Sequence, residues 1–488
     1  MLAALLVAGS GGVALADRAS NTAVLGIVLE PPHLDPTAGA AAAIDETVTV
    51  NVFQGLTFID EASHVQPLLA ESWTVSDNGK VWRFKLRPGV KFHDGAPFTA
   101  EDAKFSLDRA HGPDSVNAQK ALFEPIEEVK VVDPLTLEIV LKRPTGGLAF
   151  NLGWGDAVML SKASAADAKA KPVGTGPFRF KEWVKGDHIT LERNPDYWGT
   201  PAELNAVIFK VIPDPNAALA ALMSDAVDAL PQFGAPEALD QIRSDTRFKV
   251  VIGTTEGETI LALNNAKKPF DDLRVRRAIA HAVDRKAVIE GATFGLAQPI
   301  GSHVSPQNPA YVDLTGAYPY DPAEAKKLLK EAGYPDGFKA TLKLPPPAYA
   351  RRGGEIIAAE LAEIGIKAEI IPVEWAQWLD QVFKGHDFDM TIIAHTEPAD
   401  IDIYARPTYY FGYHSPDFNA LIAELSASND ETKRIELLQR AQKKLSEDAV
   451  NTFLFELPKV GVWRADLVGL WENYPVPVND MSTVHWEQ

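Results

Sequence analysis

The chain has 488 residues, too many for one hydrophobic core of ordinary size, and at about 150 residues per domain it is expected to form two or three. Its net charge of −19 comes with scattered Lys and Arg residues, so the basic stripe of a nucleic-acid binder is missing and nucleic acid is excluded as a partner. It has no cysteine, which excludes thiolate metal sites, disulfides, a cysteine nucleophile and a lipidated N-terminal cysteine.

Residues 1–16 form a run of apolar and small residues ending in Ala14-Leu15-Ala16, the small-x-small form of a secretory cleavage site. Export is the expectation. With no cysteine to carry a lipid, the mature protein is expected free in a periplasm. Thr22 to Leu29 reads as a strand, stopped by the proline-rich loop Pro31 to Pro36, which contains His33. Ile44 to Phe53 reads as a helix. The runs around Trp73 and from Val81 to Leu86 flank an Asn78-Gly79 turn and predict a hairpin. Thr99 with Asp102 predicts a capped helix, and Val129 to Val132 with Thr136 to Leu141 a second hairpin.

Pro172 to Phe178 is the most glycine-rich loop. It lacks the lysine and hydroxyl pair of a phosphate loop and leads into a strand rather than a helix, so it reads as a tight connection, with Gly176 a candidate ligand contact. His188 to Glu192 and Ala206 to Ile212 read as strands and Pro215 to Ser224 as a helix. Ile260 to Asn264 is a short apolar strand ending in Asn264-Asn265. In the helix opened by Phe270-Asp271-Asp272, Val275, Ala278, Ile279, Ala282 and Val283 share one face. Arg274, Arg276, Arg277 and Arg285 fall mostly off it and read as a solvated face. Asp321-Pro322-Ala323-Glu324 opens a further helix that Gly333 closes.

The most informative stretch runs from Phe338 to Asp400. Ala340 to Leu344, Ile366 to Ile371 and Phe388 to Ala394 read as strands. Helices around Ile356 to Ile364 and from Trp375 to Lys384 separate them, giving β-α-β-α-β and a parallel, helix-covered sheet. Ligands of such sheets sit outside the carboxyl ends of the strands, where this chain carries Tyr349 and Arg351, then Trp375, then His395 and Glu397. Tyr409 to His414 form an aromatic cluster. Helices follow around Phe418 to Ser426 and from about Glu431 to Asp448, with strands at Thr452 to Leu457 and Val460 to Val462.

Four stretches carry a family resemblance: Leu69 to Trp73 through Trp82 to Gly95; Gly174 to Phe178 with Asn194 to Trp198; Asn264-Asn265 with Phe270 to Ile279; and Tyr320 to Ala325. The chain resembles the extracytoplasmic solute-binding proteins of the peptide and nickel class of ABC importers. The resemblance implies an α/β fold of two lobes, a type II periplasmic binding protein with an extra subdomain in the first lobe and a ligand cleft between the lobes. Residues 17–46, 173–263 and 461–488 would form the first lobe, 47–172 its extra subdomain and 264–460 the second lobe. It also implies a monomer without cofactor that hands a small ligand to an ABC permease and its ATPase.

By the same resemblance Arg351 falls where an arginine takes the ligand carboxylate, and Trp375 where a tryptophan lines the peptide cleft. The usual Trp-x-x-Asp, whose aspartate pairs with the ligand's α-ammonium, is replaced by His395 and Pro398. Two alternatives follow. Glu397 substitutes for the aspartate, or the ligand lacks an α-ammonium, as an oligosaccharide, an opine-like sugar conjugate or a modified peptide would. Tyr409 and Tyr410 suit sugar faces as well as peptide side chains. Asn264, Asn265, His33 and Gly176 complete the candidate ligand-binding set. No catalytic or metal-ligating residue is assigned. A hydrolase is disfavoured by the lack of Gly-x-Ser-x-Gly and His-Glu-x-x-His motifs, and a metal carrier by the irregular spacing of His386, His395 and His414.

Overall fold

The computed structural model describes residues 20–39, 41–76, 78–397 and 399–487. The expected signal segment 1–16, Asp77 of the first hairpin turn and Pro398 lie outside the described residues.

Two long strands organise the molecule. Phe248–Leu263 and Thr452–Arg464 pair antiparallel, from Phe248 opposite Arg464 to Leu261 opposite Thr452. The sequence suggests three short strands here, because Gly253, Glu256, Gly257 and Pro458 interrupt the apolar runs and are poor strand formers in isolation. The pairing absorbs them in a shift of register between Thr254 and Glu258. Gly253 is needed there, since a Cβ would overlap the carbonyl oxygen of Glu472.

On one side of this irregularity lie strands Met390–His395, Lys339–Leu344 and Lys367–Pro372. On the other lie Ala229–Leu230, Thr22–Ile27, Ala206–Val211, His188–Arg193 and Phe178–Val184, all in one eleven-stranded sheet. Each half is covered on both faces. Leu261 and Leu263 pack with Val275, Ile279, Leu342 and Ile357, whereas Ile260 and Ala262 face Trp378, Tyr404 and Phe418. In the other half Ala23, Leu25 and Ile27 pack with Phe178 and Phe209, and Val24 with Leu222 and Ile242. A fully buried Leu, Ile or Phe side chain contributes roughly 1.5–3 kcal/mol, so each half rests on its own core and the long strands are left as the link. This is the two-lobed α/β architecture.

The half that contains Thr22–Ile27 carries an extra layer. Strands Ala70–Val75, Val81–Leu86, Thr136–Leu141 and Ile126–Asp133 form a separate antiparallel sheet over Trp82, Phe84, Phe98, Leu107 and Ile139. Both expected hairpins form, and Thr99 and Asp102 cap helix Ala100–His111 reciprocally.

The β-α-β-α-β unit also forms. Strand Lys339–Leu344 runs parallel to both Lys367–Pro372 and Met390–His395, and Gly365 closes helix Ala348–Glu363 with φ +88°. The second connecting helix differs from expectation. Only Trp375–Trp378 is α-helical, and Leu379–Lys384 is a π-helix, a form that concentrates at functional sites.

The arginine face is not simply solvated. Arg274 is exposed and paired with Asp272, but Arg276 is buried and donates to the carbonyls of Phe270, Asp448 and Ala449. Half-buried Arg285 donates to the carbonyls of Phe453, Thr315 and Tyr318. Carbonyls at a helix end need donors, and those after helix Glu431–Glu447 lie too far along the sequence for periodicity to reveal the match.

Candidate functional site

Strand Met390–His395 ends at a cleft of about 1090 Å³, and Trp375, just after strand Lys367–Pro372, also lines it. One wall comes from the extra subdomain and its flank, with Leu122, Arg143, Asn151 and Trp154. The other comes from Trp375 through Tyr409. Apolar side chains dominate the second wall: Trp375 and Leu379 are each 44% exposed and Phe383 38%, unusual for such large groups, and all three face the cleft. They are held from behind. Trp378 is buried, meets Trp375 edge-on at 6.0 Å and stacks on Phe383 at 6.2 Å, and its Nε1 donates to Thr391 Oγ1 at 3.0 Å. Tyr409 meets Phe383 edge-on at 5.7 Å and completes the wall.

The polar floor follows strand Met390–His395. The Ala394 N–H donates to Tyr349 Oη at 3.0 Å, so Tyr349 props the strand end rather than lining the cleft. His395 is buried, with Nε2 3.0 Å from Tyr410 Oη and Nδ1 3.8 Å from Asp400 Oδ2. Burial brings the His395 imidazole down to about 4, which keeps it neutral at pH 7. Asp400 in turn lies 2.8 Å from His303 Nε2, and His303 Nδ1 lies 3.2 Å from Tyr404 Oη. Burial opposes ionisation of Asp400, but the His303 beside it holds its carboxyl below the usual range. Glu397 is exposed in the cleft, and among the described residues its Oε2 accepts only the weak 3.3 Å bond from the Thr396 N–H.

The structure therefore brings Trp375, His395, Glu397 and Tyr409 to one cleft, with Tyr410 buried beneath them. It does not bring the others there. Arg351 lies outside the lining and pairs with Glu374 at 3.3 Å. Asn264 Nδ2 donates to the carbonyls of His386 and Phe388, and Asn265 Nδ2 to those of Leu263 and Val450. Strand Phe248–Leu263 runs antiparallel to Met390–His395, with Leu263 opposite Met390, so its carboxyl end lies at the far edge of the sheet from the cleft. Gly176 is packed against the Asn51 carbonyl, and its own carbonyl accepts from His93 Nε2 and Asn194 Nδ2 at 3.0 Å each. His33 Nδ1 accepts from the Asp35 N–H at 3.3 Å within its own loop.

Sequence reading missed Asp400 and His303, and missed the opposite wall with Arg143 and Trp154. The signal for the last two was absent, because they come from a segment more than 200 residues from Trp375 in the chain.

Comparison with known proteins decides the family. Residues 64–418 match the bacterial extracellular solute-binding proteins, family 5 Middle. The chain belongs to that family. A glutathione-binding protein of Pectobacterium atrosepticum is 31% identical over 463 residues, covering 89% of this chain and 88% of the relative. The dipeptide-binding protein of Escherichia coli is 31% identical over 434 residues, covering 79% and 80%. Among solved structures, an ABC transporter-associated periplasmic binding protein of Helicobacter pylori in complex with the peptide STSA superposes with a TM-score of 0.74 at 27% identity, covering 96% of this chain and 98% of that one. As a family 5 protein, the chain is a solute-binding protein of the ABC-importer class.

Proposed function

We propose that this protein captures a short peptide in the cleft between its lobes and delivers it, without chemical conversion, to the permease and ATPase of an ABC importer. The observation that carries this is the pairing of the apolar wall of Trp375, Leu379 and Phe383 with the lightly bonded carboxylate of Glu397 in one cleft. A peptide has the complementary parts, an α-ammonium and side chains to bury, and the glutathione- and dipeptide-binding relatives support that class. Glu397 takes the ammonium. Arg406, which lines the cleft and pairs with Asp402 at 2.9 Å, replaces Arg351 as the group that meets the ligand carboxylate.

Closure turns on the two long strands. We place the crossings at the register break, Thr254 to Glu258 opposite Glu456 to Pro458, a few residues from the expected 263/264 and 460/461, because Ile260 to Leu263 already pack in the second lobe's cores. The working form is a periplasmic monomer. The test is native mass spectrometry of the purified protein, with release and identification of what it holds, followed by calorimetric titration with the released compound. A peptide whose affinity falls at least tenfold in Glu397→Gln supports the reading. A sugar conjugate, or any ligand without an ammonium group, overturns it.

A further inference from the structure

Beneath the floor of the cleft lies a cluster that the peptide reading does not use. Glu258, His303 and Asp400 each offer one ligand-type atom, and these atoms lie within 4.8 Å of one another. His395 adjoins them, with its ring 5.4 Å from that of His303 and its Nδ1 3.8 Å from Asp400 Oδ2. They come from three segments remote in sequence: the first crossing strand, the loop after Gln298–Pro299, and the end of Met390–His395 with the turn that follows it.

A second observation points to a missing partner. Glu258 is 4% exposed, and among the described residues its Oε2 accepts no hydrogen bond. Glu258 stands directly between His395 and Glu456 in the register of three adjacent strands. Glu456, 1% exposed, has neither carboxyl oxygen bonded among the described residues. Buried carboxyl groups are normally bonded, paired or attached to a metal, and cross-strand carboxylates repel when ionised. A cation beside Glu258 answers both problems. It gives the free oxygen of Glu258 a partner and sets a positive charge among the carboxyl groups of Glu256, Glu258, Asp400 and Glu456.

We infer that Glu258, His303 and Asp400 bind one divalent transition-metal ion under the cleft floor, with His395 as the adjoining fourth donor. The donor set selects the ion class. Imidazole nitrogen together with carboxylate oxygen suits Zn²⁺, Ni²⁺, Co²⁺ or Mn²⁺ rather than the all-oxygen preference of Ca²⁺ or Mg²⁺. Ligands at about 2.0–2.2 Å from one ion are roughly 3 Å apart, so modest side-chain rotations close the present spacing. The other ring nitrogen of His395, Nε2, is oriented by Tyr410 Oη at 3.0 Å. Asp400 and His395 also line the cleft, so an ion held there would tie the first crossing strand to the floor on which the solute rests.

This site stands apart from the peptide reading, and its test needs no peptide. Protein stripped with a chelator is titrated separately with Co²⁺, Ni²⁺, Zn²⁺ and Mn²⁺, with native mass spectrometry for stoichiometry and visible absorption for Co²⁺. The expected result is one ion per chain for at least one metal, with binding weakened tenfold or more in Glu258→Gln and in His303→Gln. Circular dichroism checks that each variant folds. No bound ion in the stripped wild type, or an affinity unchanged in both variants, overturns the proposal. If neither variant folds, X-ray absorption of the wild type with bound metal decides: imidazole scattering supports the site, and a shell of oxygen alone refutes it.

Discussion

Glu258 and Glu456 face each other across the two antiparallel strands that join the lobes, both buried, at the edge of the register break. Two acids in this position cannot both ionise cheaply. Burial, reinforced by the charge of Glu256, pushes Glu456 up to about 9, and burial raises Glu258 well above the ordinary range.

The Glu456 shift predicts a pH effect on stability. A carboxyl whose folded pKa lies above its unfolded value binds more protons when folded, so its contribution is fully present below about 4.5 and is lost as pH rises towards 9. In chelator-stripped protein, Glu456→Gln should match the wild type near pH 5 and melt higher at pH 8.5, by an amount equivalent to about 2–4 kcal/mol. Differential scanning calorimetry at the two pH values checks this. Equal melting temperatures at pH 8.5 would remove the case for an ionisation penalty.

His395 and His93 act on the acid side. Burial lowers each to about 4, so the unfolded chain takes up their protons first as pH falls. Stability is fully present above about 6.5 and should decline between 6.5 and 4. Near pH 5 the slope of stability against pH, measured by urea unfolding, should differ between the wild type and His93→Gln by about one proton per molecule.

The apolar wall should govern affinity without governing the fold. Trp375 is 44% exposed, so Trp375→Ala should leave the melting temperature within about 1 °C while weakening peptide binding roughly tenfold, the equivalent of about 1.4 kcal/mol of lost apolar contact. Calorimetric titration paired with a melt separates the two. A large loss of stability with unchanged affinity would place Trp375 outside the ligand contact.

Asn264 should behave the opposite way. Its Nδ2 serves the carbonyls of His386 and Phe388 at 3.1 Å each, the second of them buried, and its Oδ1 accepts from the Ala266 N–H. Asn264→Ala leaves these groups without partners and should cost about 2–4 kcal/mol by denaturant unfolding, with peptide affinity unchanged.

Gly253 tests the crossing itself. A Cβ there meets the Glu472 backbone, which cannot rotate away, so Gly253→Ala should destabilise by about 1–3 kcal/mol. It should also alter the ligand-dependent compaction seen by small-angle scattering, since the strain falls beside the register break.

The local elements were legible because each rests on short-range chemistry. Thr99 and Asp102 three residues apart, Gly365 at a left-handed turn, the Asn78-Gly79 hairpin and the alternating runs from Ala340 to Ala394 all declare themselves within a few residues. From those alone came the parallel unit, the strand-end rule and the placing of Trp375, His395 and Glu397 at one edge. The tertiary structure decided the rest. The direction of strand Phe248–Leu263 is set by its pairing with Met390–His395, and it sends Asn264 and Asn265 away from the cleft that strand ends alone would give them. Arg276 and Arg285 turn inward because unbonded carbonyls from residues about 170 positions away in the chain need donors. Glu258, His303, Asp400 and Glu456 look like ordinary surface charges in sequence and become a buried cluster only when four distant segments meet. Burial changes both their protonation and their need for partners, and burial is a property of packing that no local pattern encodes.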